Sequence, residues 1–344
     1  MDLDGLLLDA ARPEDLAGML VAALRLDLPT VCMPPASLPL LASLVGLGLT
    51  PNTGDPANTA VIIAESDGPW PRGLVDDFSL ANALRAGVAA GGGPEILVHL
   101  AAIAREAEVA GFGQTMRVLT AETREAEPEW LQEYGVVGLL SSLGDTLHDV
   151  PTVTSNLKVN LPPEPPALEE YSRLVFVRAR ASGAEGVCRV RKGVTEAAGE
   201  CRIFASEEEA VSAVRNGEVG EETMLVAGGC GARGGPGLLR LDALGRSLKE
   251  AGLEIPVLTD GIAPGDVAGE WTSLFTPEAA AGGVLSLLRD GDALRIDLTE
   301  GRIRTRAGEF DSREPNGFSE STGTAYAVRY AGAALPALEG AGFG

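Results

Sequence analysis

Hydrophobic and polar positions near the start of the chain form alternating short segments. Residues 3–8 and 31–33 are apolar runs, and residues 16–24 between them place apolar side chains at helical spacing. A polar connection, residues 9–15, follows the first run. Strand, loop, helix and strand at this spacing predict a βαβ unit, whose first loop lies at the carboxyl end of a strand, where open α/β sheets hold ligands.

The segments that follow are less regular. Residues 34–73 are rich in Pro, Gly, Asn and Asp, which indicates loops around one buried strand or helical turn. Residues 77–111 have helical spacing on both sides of a break at residues 91–94, so we expect two helices there. Residues 130–148 predict a further helical stretch.

A proline-rich segment, residues 162–166, separates this half from a different pattern. Short apolar strands at residues 174–177, 187–190, 201–204 and 224–227 alternate with turns, and Ser206 has the position of a helix N-cap. We therefore predict an α/β domain over residues 1–161, a linker over residues 162–171 and a compact β-rich domain over residues 172–344.

The stretch from residue 256 to residue 298 carries the most informative pattern. A short apolar run ends at Thr259, Asp260 and Gly261, and such a strand end usually delivers a loop to a cleft. Thr276 has the position of an N-cap with Pro277 at the first helical position, which predicts a helix over residues 278–288. Residues 293–298 alternate as a half-buried strand.

Charge and cysteine content narrow the function. The chain has 27 Lys and Arg against 49 Asp and Glu, a net charge of -22, which argues against nucleic acid or an anionic membrane as a partner. No apolar run reaches the ~18 residues of a membrane span, and we expect a cytoplasmic protein. The four cysteines have no C-x-x-C spacing, which indicates free thiols rather than a zinc site or a redox dithiol.

Several of these segments resemble one family in the same order. TDGIAPGD (residues 259–266) and TPEAAAGGVLSLLRDGDALRIDL (residues 276–298) resemble the C-terminal signature of the dihydroxy-acid dehydratase and phosphogluconate dehydratase family. DGLLLDAARPEDLAGMLVAALRLDLPT (residues 4–30), GECRIFASEEEA (residues 199–210) and the glycines of residues 229–238 resemble other family segments. The resemblance begins about a hundred residues into the family's usual length, so we expect its N-terminal segment to be missing.

The resemblance implies a fold and a reaction. The implied fold is an N-terminal three-layer α/β domain with a mainly parallel sheet, a smaller barrel-like β-rich C-terminal domain and a terminal helix. The family's dehydration uses an iron–sulfur cluster on the departing hydroxyl, a magnesium ion held by carboxylates and a carbamylated lysine, and a serine base.

The same alignment shows departures at the chemical positions. A cluster cysteine falls on Arg12, the magnesium-binding lysine on Glu14, the metal-binding glutamate on Cys230 and the serine on Pro264. The first 157 residues have one cysteine, Cys32, and no lysine. We therefore expect neither cluster nor magnesium, and no other cofactor.

Three functions stay open. The first is a non-catalytic paralogue or subunit, as a homodimer or as a heterodimer with a full-length dehydratase. The second is an enzyme with cluster-free acid–base chemistry on a small hydroxy or amino acid. Its candidate catalytic residues are Glu14, Glu95, His99, Cys230 and Asp260, with Asp9 beside them.

The third is a binding module for a small hydroxy acid, with arginine as a bidentate clamp on its carboxylate. Its candidate binding residues are Arg12, Arg233, Gly234, Gly235, Gly261 and Asp266. The competing interpretation is that these charges are solvated loop residues and that His99 is structural.

Overall fold

A computed structural model describes residues 4–51, 54–159, 161–162, 167–179, 183–234, 237–265, 267–304, 313–318 and 324–343. The chain divides into two compact units, Met1–Arg173 and Leu174–Gly344.

The first unit opens with the predicted βαβ element. Strand β1 (Leu6–Leu8), helix α1 (Pro13–Leu26) and strand β2 (Thr30–Cys32) follow one another, and the two strands pair in parallel. Pro13 lies at the start of α1, where its missing N–H costs no helical hydrogen bond. The prediction is confirmed.

The rest of the first unit is mostly helical. Its elements are α2 (Leu38–Gly46), α3 (Pro56–Glu65), α4 (Pro71–Leu74), α5 (Asp77–Ala89), α6 (Pro94–Glu106), α7 (Phe112–Glu122), β3 (Glu125–Ala126) and α8 (Pro128–Leu143). The pair α5 and α6 confirms the two predicted helices, and α8 confirms the third helical stretch. The two residues of β3 pair with residues 170–172.

The prediction of loops over residues 34–73 was wrong, because α2, α3 and α4 lie there. Each of these helices has a proline in its first two positions, where proline starts a helix instead of breaking one. Helix α2 packs closely on α5: a Cβ at Gly46 would lie 2.7 Å from the backbone nitrogen of Ala83. Gly46 therefore allows α2 and α5 to pack closely.

The three-layer arrangement expected for this unit is not confirmed. Among the described residues, its strands are the parallel pair β1 and β2 and the short β3. Buried residues of α2, α5 and α8 belong to one core cluster, with Ala42, Ala86 and Trp130 among them.

The second unit is built on a closed sheet. Eight strands pair side by side in the order β4-β5-β9-β8-β7-β6-β10-β11, and β11 pairs with β4 to close the barrel. The strands are β4 (Glu170–Ala179, which begins before the unit boundary), β5 (Glu185–Arg191), β6 (Glu196–Phe204), β7 (Thr223–Ala227), β8 (Val257–Thr259), β9 (Trp271–Thr276), β10 (Ala293–Asp297) and β11 (Arg302–Arg304). The barrel-like prediction is confirmed.

Strand β7 is buried on both faces. Met224 and Val226 belong to one core cluster, which also contains Leu258 and Phe275. Leu225 belongs to a second cluster, which contains residues of helices α9 (Glu207–Arg215) and α10 (Asp242–Ala251). Burial on both faces explains why residues 224–227 are a continuous apolar run without alternation.

The predicted helix over residues 278–288 was wrong as a single element. Residues 279–281 form a 3₁₀ turn, and helix α11 (Val284–Leu287) begins only after Gly282 and Gly283. Gly282 is left-handed at φ 78°, and a Cβ at Gly283 would overlap the carbonyl oxygen of Pro277. Thr276 ends strand β9 instead of capping a helix.

The chain ends in the expected helix, α12 (Ala325–Ala333), followed by a 3₁₀ turn at residues 337–339. Among the described residues, no helix combines the length and the apolar character that crossing a bilayer requires.

Candidate functional site

Three neighbouring strands of the barrel end side by side. Strands β7, β8 and β9 are parallel, and Ala227 pairs with Thr259 at the carboxyl ends of β7 and β8. The chain then continues into residues 228–234, which we call the glycine loop, into Asp260 after β8 and into Glu278 after β9. Such an edge is where α/β sheets place ligands.

Asp260 joins all three strand ends. Its side chain is fully buried, and it accepts hydrogen bonds from the backbone nitrogens of Gly229 (3.2 Å), Cys230 (2.8 Å) and Ala279 (2.9 Å). Burial raises the pKa of Asp260, and the three backbone donors oppose that rise. The carboxyl group is thus a structural acceptor that holds the glycine loop to the end of β9.

Glu278 holds the same loop from the other side. Only 3% of the residue is exposed, and its Oε2 atom accepts a hydrogen bond of 2.7 Å from the backbone nitrogen of Arg233. Its Oε1 atom is buried without a hydrogen-bond partner among the described residues. Burial, with a smaller contribution from Asp260, raises the pKa of Glu278 to about 7.

Glu278 was missed by sequence reasoning, which placed it in the first turn of a helix. The signal lay in the two glycines that follow four and five residues later, because they end the turn that positions Glu278. Gly231 also belongs to this contact: a Cβ there would lie 2.5 Å from the carboxyl carbon of Glu278.

Cys230 points into the protein core. The residue is fully buried, and its sulfur lies 3.7 Å from the carbonyl oxygen of Gly228, to which the thiol donates. Burial raises the pKa of this thiol, and the charge of Asp260 raises it further. Cys230 therefore carries a protonated, unreactive thiol at neutral pH.

The remaining candidates of the second unit differ in accessibility. Arg233 is exposed, and its Nε atom donates to the carbonyl oxygen of Ala334 at 3.3 Å. Gly234 packs against the backbone of Gly229, and a Cβ at Gly261 would lie 2.6 Å from the side chain of Leu241. Gly235 and Asp266 lie outside the described residues.

The candidates of the first unit lie on α1 and α6, two helices that pack against each other. Asp9 and Arg12 are exposed before α1, and Arg12 forms an ion pair of 2.7 Å with Asp15. Glu14 belongs to α1, but its side chain lies outside the described residues.

The two candidates of α6 lie in its first half. Glu95 folds back on the start of the helix, where its Oε1 atom accepts a hydrogen bond of 3.1 Å from the backbone nitrogen of Gly93. His99 is half-buried one turn later. The carboxylate of Glu95 thus caps its own helix.

The side chains at the chemical positions differ from those that the resemblance implies for binding a cluster and magnesium. Burial raises the pKa of both Cys32 and Cys230, whereas cluster iron binds thiolates and magnesium prefers oxygen ligands. Within the part of the chain that the structure describes, no three His, Cys, Asp or Glu side chains are grouped to hold a metal.

Comparison with known proteins gives a consistent result. Residues 181–341 match the family described as Dihydroxy-acid/6-phosphogluconate dehydratase C-terminal. The dihydroxy-acid dehydratase of Geobacter metallireducens is 31% identical over 272 residues, 71% of this chain and 49% of the relative. That of Trichlorobacter lovleyi is 28% identical over 309 residues, 79% of this chain and 55% of the relative.

The matched relatives are longer than this sequence. The chain spans about half the length of the curated relatives it matches, and both relatives named above are dihydroxy-acid dehydratases.

Proposed function

Because this chain belongs to the dihydroxy-acid/6-phosphogluconate dehydratase family, we propose that it is a non-catalytic member, a paralogue or subunit that has kept the barrel frame without the dehydration chemistry. The observation that carries this proposal is the state of Cys230. The resemblance puts the family's metal-binding glutamate at this position, and here it is a fully buried thiol whose pKa is raised by burial.

Pro264 supports the same proposal. It stands where the resemblance puts the serine base, and proline has neither a side-chain oxygen nor a backbone N–H. Its ring packs against α10, since a Cβ at Gly245 would lie 2.9 Å from the Cγ atom of Pro264. The position thus has a packing role in this chain.

The surviving carboxyl groups support it as well. Asp260 accepts three backbone hydrogen bonds and Glu278 accepts one from Arg233, so both organise the loop. A scaffold or subunit needs this architecture, whereas a cluster enzyme also needs ligands that these positions no longer supply.

Turnover is the direct test. The purified chain, incubated anaerobically with iron, sulfide and magnesium, should not convert a 2,3-dihydroxy acid to the 2-oxo acid. The dihydroxy-acid dehydratase of Geobacter metallireducens, treated in the same way, is the positive control. Conversion by the chain above the level of an empty preparation would refute the non-catalytic proposal.

The subunit role has its own test. Tyr326 is 70% exposed and Val328 49% exposed on α12, and apolar side chains of this kind are often covered in assemblies. Coexpression of the tagged chain with a full-length dehydratase should recover both proteins in one peak on size-exclusion chromatography. Separate elution, with the tagged chain as a monomer, would contradict a subunit role.

Arg233 favours a second candidate, the binding of a small carboxylate. Its Nε atom and backbone nitrogen donate hydrogen bonds, while its terminal nitrogens make no hydrogen bond or ion pair with the described residues. A hydroxy acid that binds should raise the melting temperature, and Arg233→Ala should abolish the shift. Arg246→Ala, on α10, is the matched control, and equal shifts in the two variants would rule out Arg233 as the clamp.

A further inference from the structure

We propose that Glu278 is a proton-controlled latch on the glycine loop: its protonated side chain holds the loop closed, and its ionisation shifts the loop towards an open form. The proposal goes beyond the function above and holds whether or not the chain is catalytic. It concerns the second unit alone.

The first step is the contact between Glu278 and the loop. The Oε2 atom accepts the 2.7 Å hydrogen bond from the backbone nitrogen of Arg233, and the carboxyl group fills the space beside Gly231. The loop cannot move away from the barrel without breaking this hydrogen bond and exposing the carboxyl group to water. Opening of the loop and hydration of Glu278 are therefore the same event.

The second step is the cost of a charge at this place. Glu278 is 3% exposed, and its Oε1 atom has no hydrogen-bond partner among the described residues. A buried carboxylate with an unpaired oxygen loses hydration that the protein does not replace. Ionisation therefore disfavours the closed loop.

The third step is the set of groups around Glu278. Asp260, at the end of β8, is a second buried carboxyl group, and its negative charge opposes ionisation of Glu278. Tyr330 of α12 is close enough for Glu278 to contribute to the raised pKa of its phenol, after burial. The backbone N–H groups of Arg233 and Ala232 lower the pKa of Glu278, and so does the guanidinium of Arg233, which is exposed and therefore screened. These contributions do not offset the effect of burial.

The sign of the pH dependence follows from linkage. The pKa of Glu278 is about 7 in the closed form against 4.5 for the free side chain, so the closed form binds the proton more tightly. The population of the open loop is lowest below the lower pKa, 4.5. It increases by up to tenfold per pH unit between the two pKa values and levels off above the higher one, about 7. From pH 5 to pH 8 the open population should grow on the order of 50-fold.

Hydrogen exchange of the loop amides tests this proposal. Exchange of a peptide covering residues 228–234 is measured from pH 5 to pH 8 in the full chain, and rates are divided by the intrinsic rate at each pH. Wild type should lose protection on the order of 50-fold over this range. Glu278→Gln, which keeps an oxygen acceptor for Arg233 but cannot ionise, should lose little.

Glu208→Gln is the matched control, because Glu208 is exposed on α9 and its removal should leave the wild-type response intact. A pH response of Glu278→Gln that equals that of wild type would overturn the proposal.

Arg233→Gln keeps the test decisive if Glu278→Gln does not fold. The variant keeps the backbone nitrogen that donates to Glu278. It removes a positive charge that lowers the pKa of Glu278, so the pKa of Glu278 should rise. The pH at which protection stops falling should therefore move upward. A response that stays at the wild-type pH, or moves downward, would equally overturn the latch.

Discussion

Asp260 and Glu278 are two buried carboxyl groups that accept different numbers of hydrogen bonds. Asp260 accepts three backbone hydrogen bonds, while one oxygen of Glu278 has no partner among the described residues. A buried acceptor with several donors stabilises a loop, whereas a buried acceptor with an unpaired atom makes the loop sensitive to protonation. Burial raises the pKa of both carboxyl groups, and the two differ in the number of backbone donors that oppose the rise.

Replacing Asp260 tests its support of the loop. Asp260→Ala leaves three buried N–H groups without acceptors, so the free energy of unfolding should fall by about 3 kcal/mol or more. Asp260→Asn keeps one carbonyl oxygen and should lose less. Urea unfolding followed by circular dichroism measures both variants.

Glu250→Ala is the control for this series, because Glu250 is exposed near the end of α10. Its effect should stay within about 0.5 kcal/mol, as for most surface substitutions. If Asp260→Ala were as mild as this control, the support that we assign to Asp260 would not exist.

At the residue scale, the sequence predicted that Asp260 lies at a strand end but not which groups donate hydrogen bonds to it. A strand followed by Thr259, Asp260 and Gly261 indicated a site, and the residue does lie at a strand end. Its hydrogen-bond donors are up to 31 positions away along the chain, at Gly229, so no local pattern could identify them. Glu278 was missed because proline and glutamate after a threonine are typical of a helix start as well.

At the scale of elements, two glycines decide the break between the 3₁₀ turn and α11. Gly282 adopts a left-handed backbone in open space. Gly283 has an extended backbone that any residue can adopt, but there is no room for a side chain beside the oxygen of Pro277. The two neighbours are thus glycine for different reasons.

Alanine substitutions separate the two reasons. Gly282→Ala should lower the free energy of unfolding by about 1 to 2 kcal/mol, the usual cost of a left-handed alanine. Gly283→Ala should cost more, at least about 3 kcal/mol, because the clash is with backbone. Thermal and urea unfolding of the two variants give the comparison.

Gly332→Ala is the control with the opposite sign. Gly332 lies inside α12 with open space around it, so alanine should stabilise the protein by up to about 1 kcal/mol. Equal losses for Gly282→Ala and Gly283→Ala would show that the steric explanation for Gly283 is wrong.

Helices and strands were predictable where the hydrophobic periodicity of the sequence was compatible with one kind of element only. The βαβ unit, the pair α5 and α6, and six strands of the barrel follow from periodicity and were confirmed, whereas β9 and β11 were not predicted. Helices α2 to α4 were missed because a proline before an apolar run is compatible with a loop as well as with a helix start. The close contact of Gly46 with α5 decides between them, and it depends on tertiary packing.

At the scale of the whole molecule, charge sets the class of partner. The net charge of -22 repels polyanions such as nucleic acids. The chain should therefore show no binding to a labelled DNA duplex at physiological ionic strength by fluorescence anisotropy. Saturable binding that weakens with salt would reveal a basic surface that the composition does not suggest.

The overall architecture was predictable in part. Short strands with turns predicted a compact β-rich domain, and the resemblance implied that it is barrel-like. The mainly parallel sheet expected in the first unit is not confirmed. The described strands of that unit form only a parallel pair and a two-residue strand. Short apolar runs in that unit are compatible with either a helix or a strand, so the sequence pattern alone could not predict its layered arrangement.

We propose that this family member has kept the barrel but lacks the groups that bind an iron–sulfur cluster and magnesium. Elemental analysis of the anaerobically purified and reconstituted chain, together with acid-labile sulfide, tests that claim most directly. We predict that all three stay far below one equivalent and that the protein stays colourless. Stoichiometric iron and sulfide, with the visible absorption of a cluster, would contradict it.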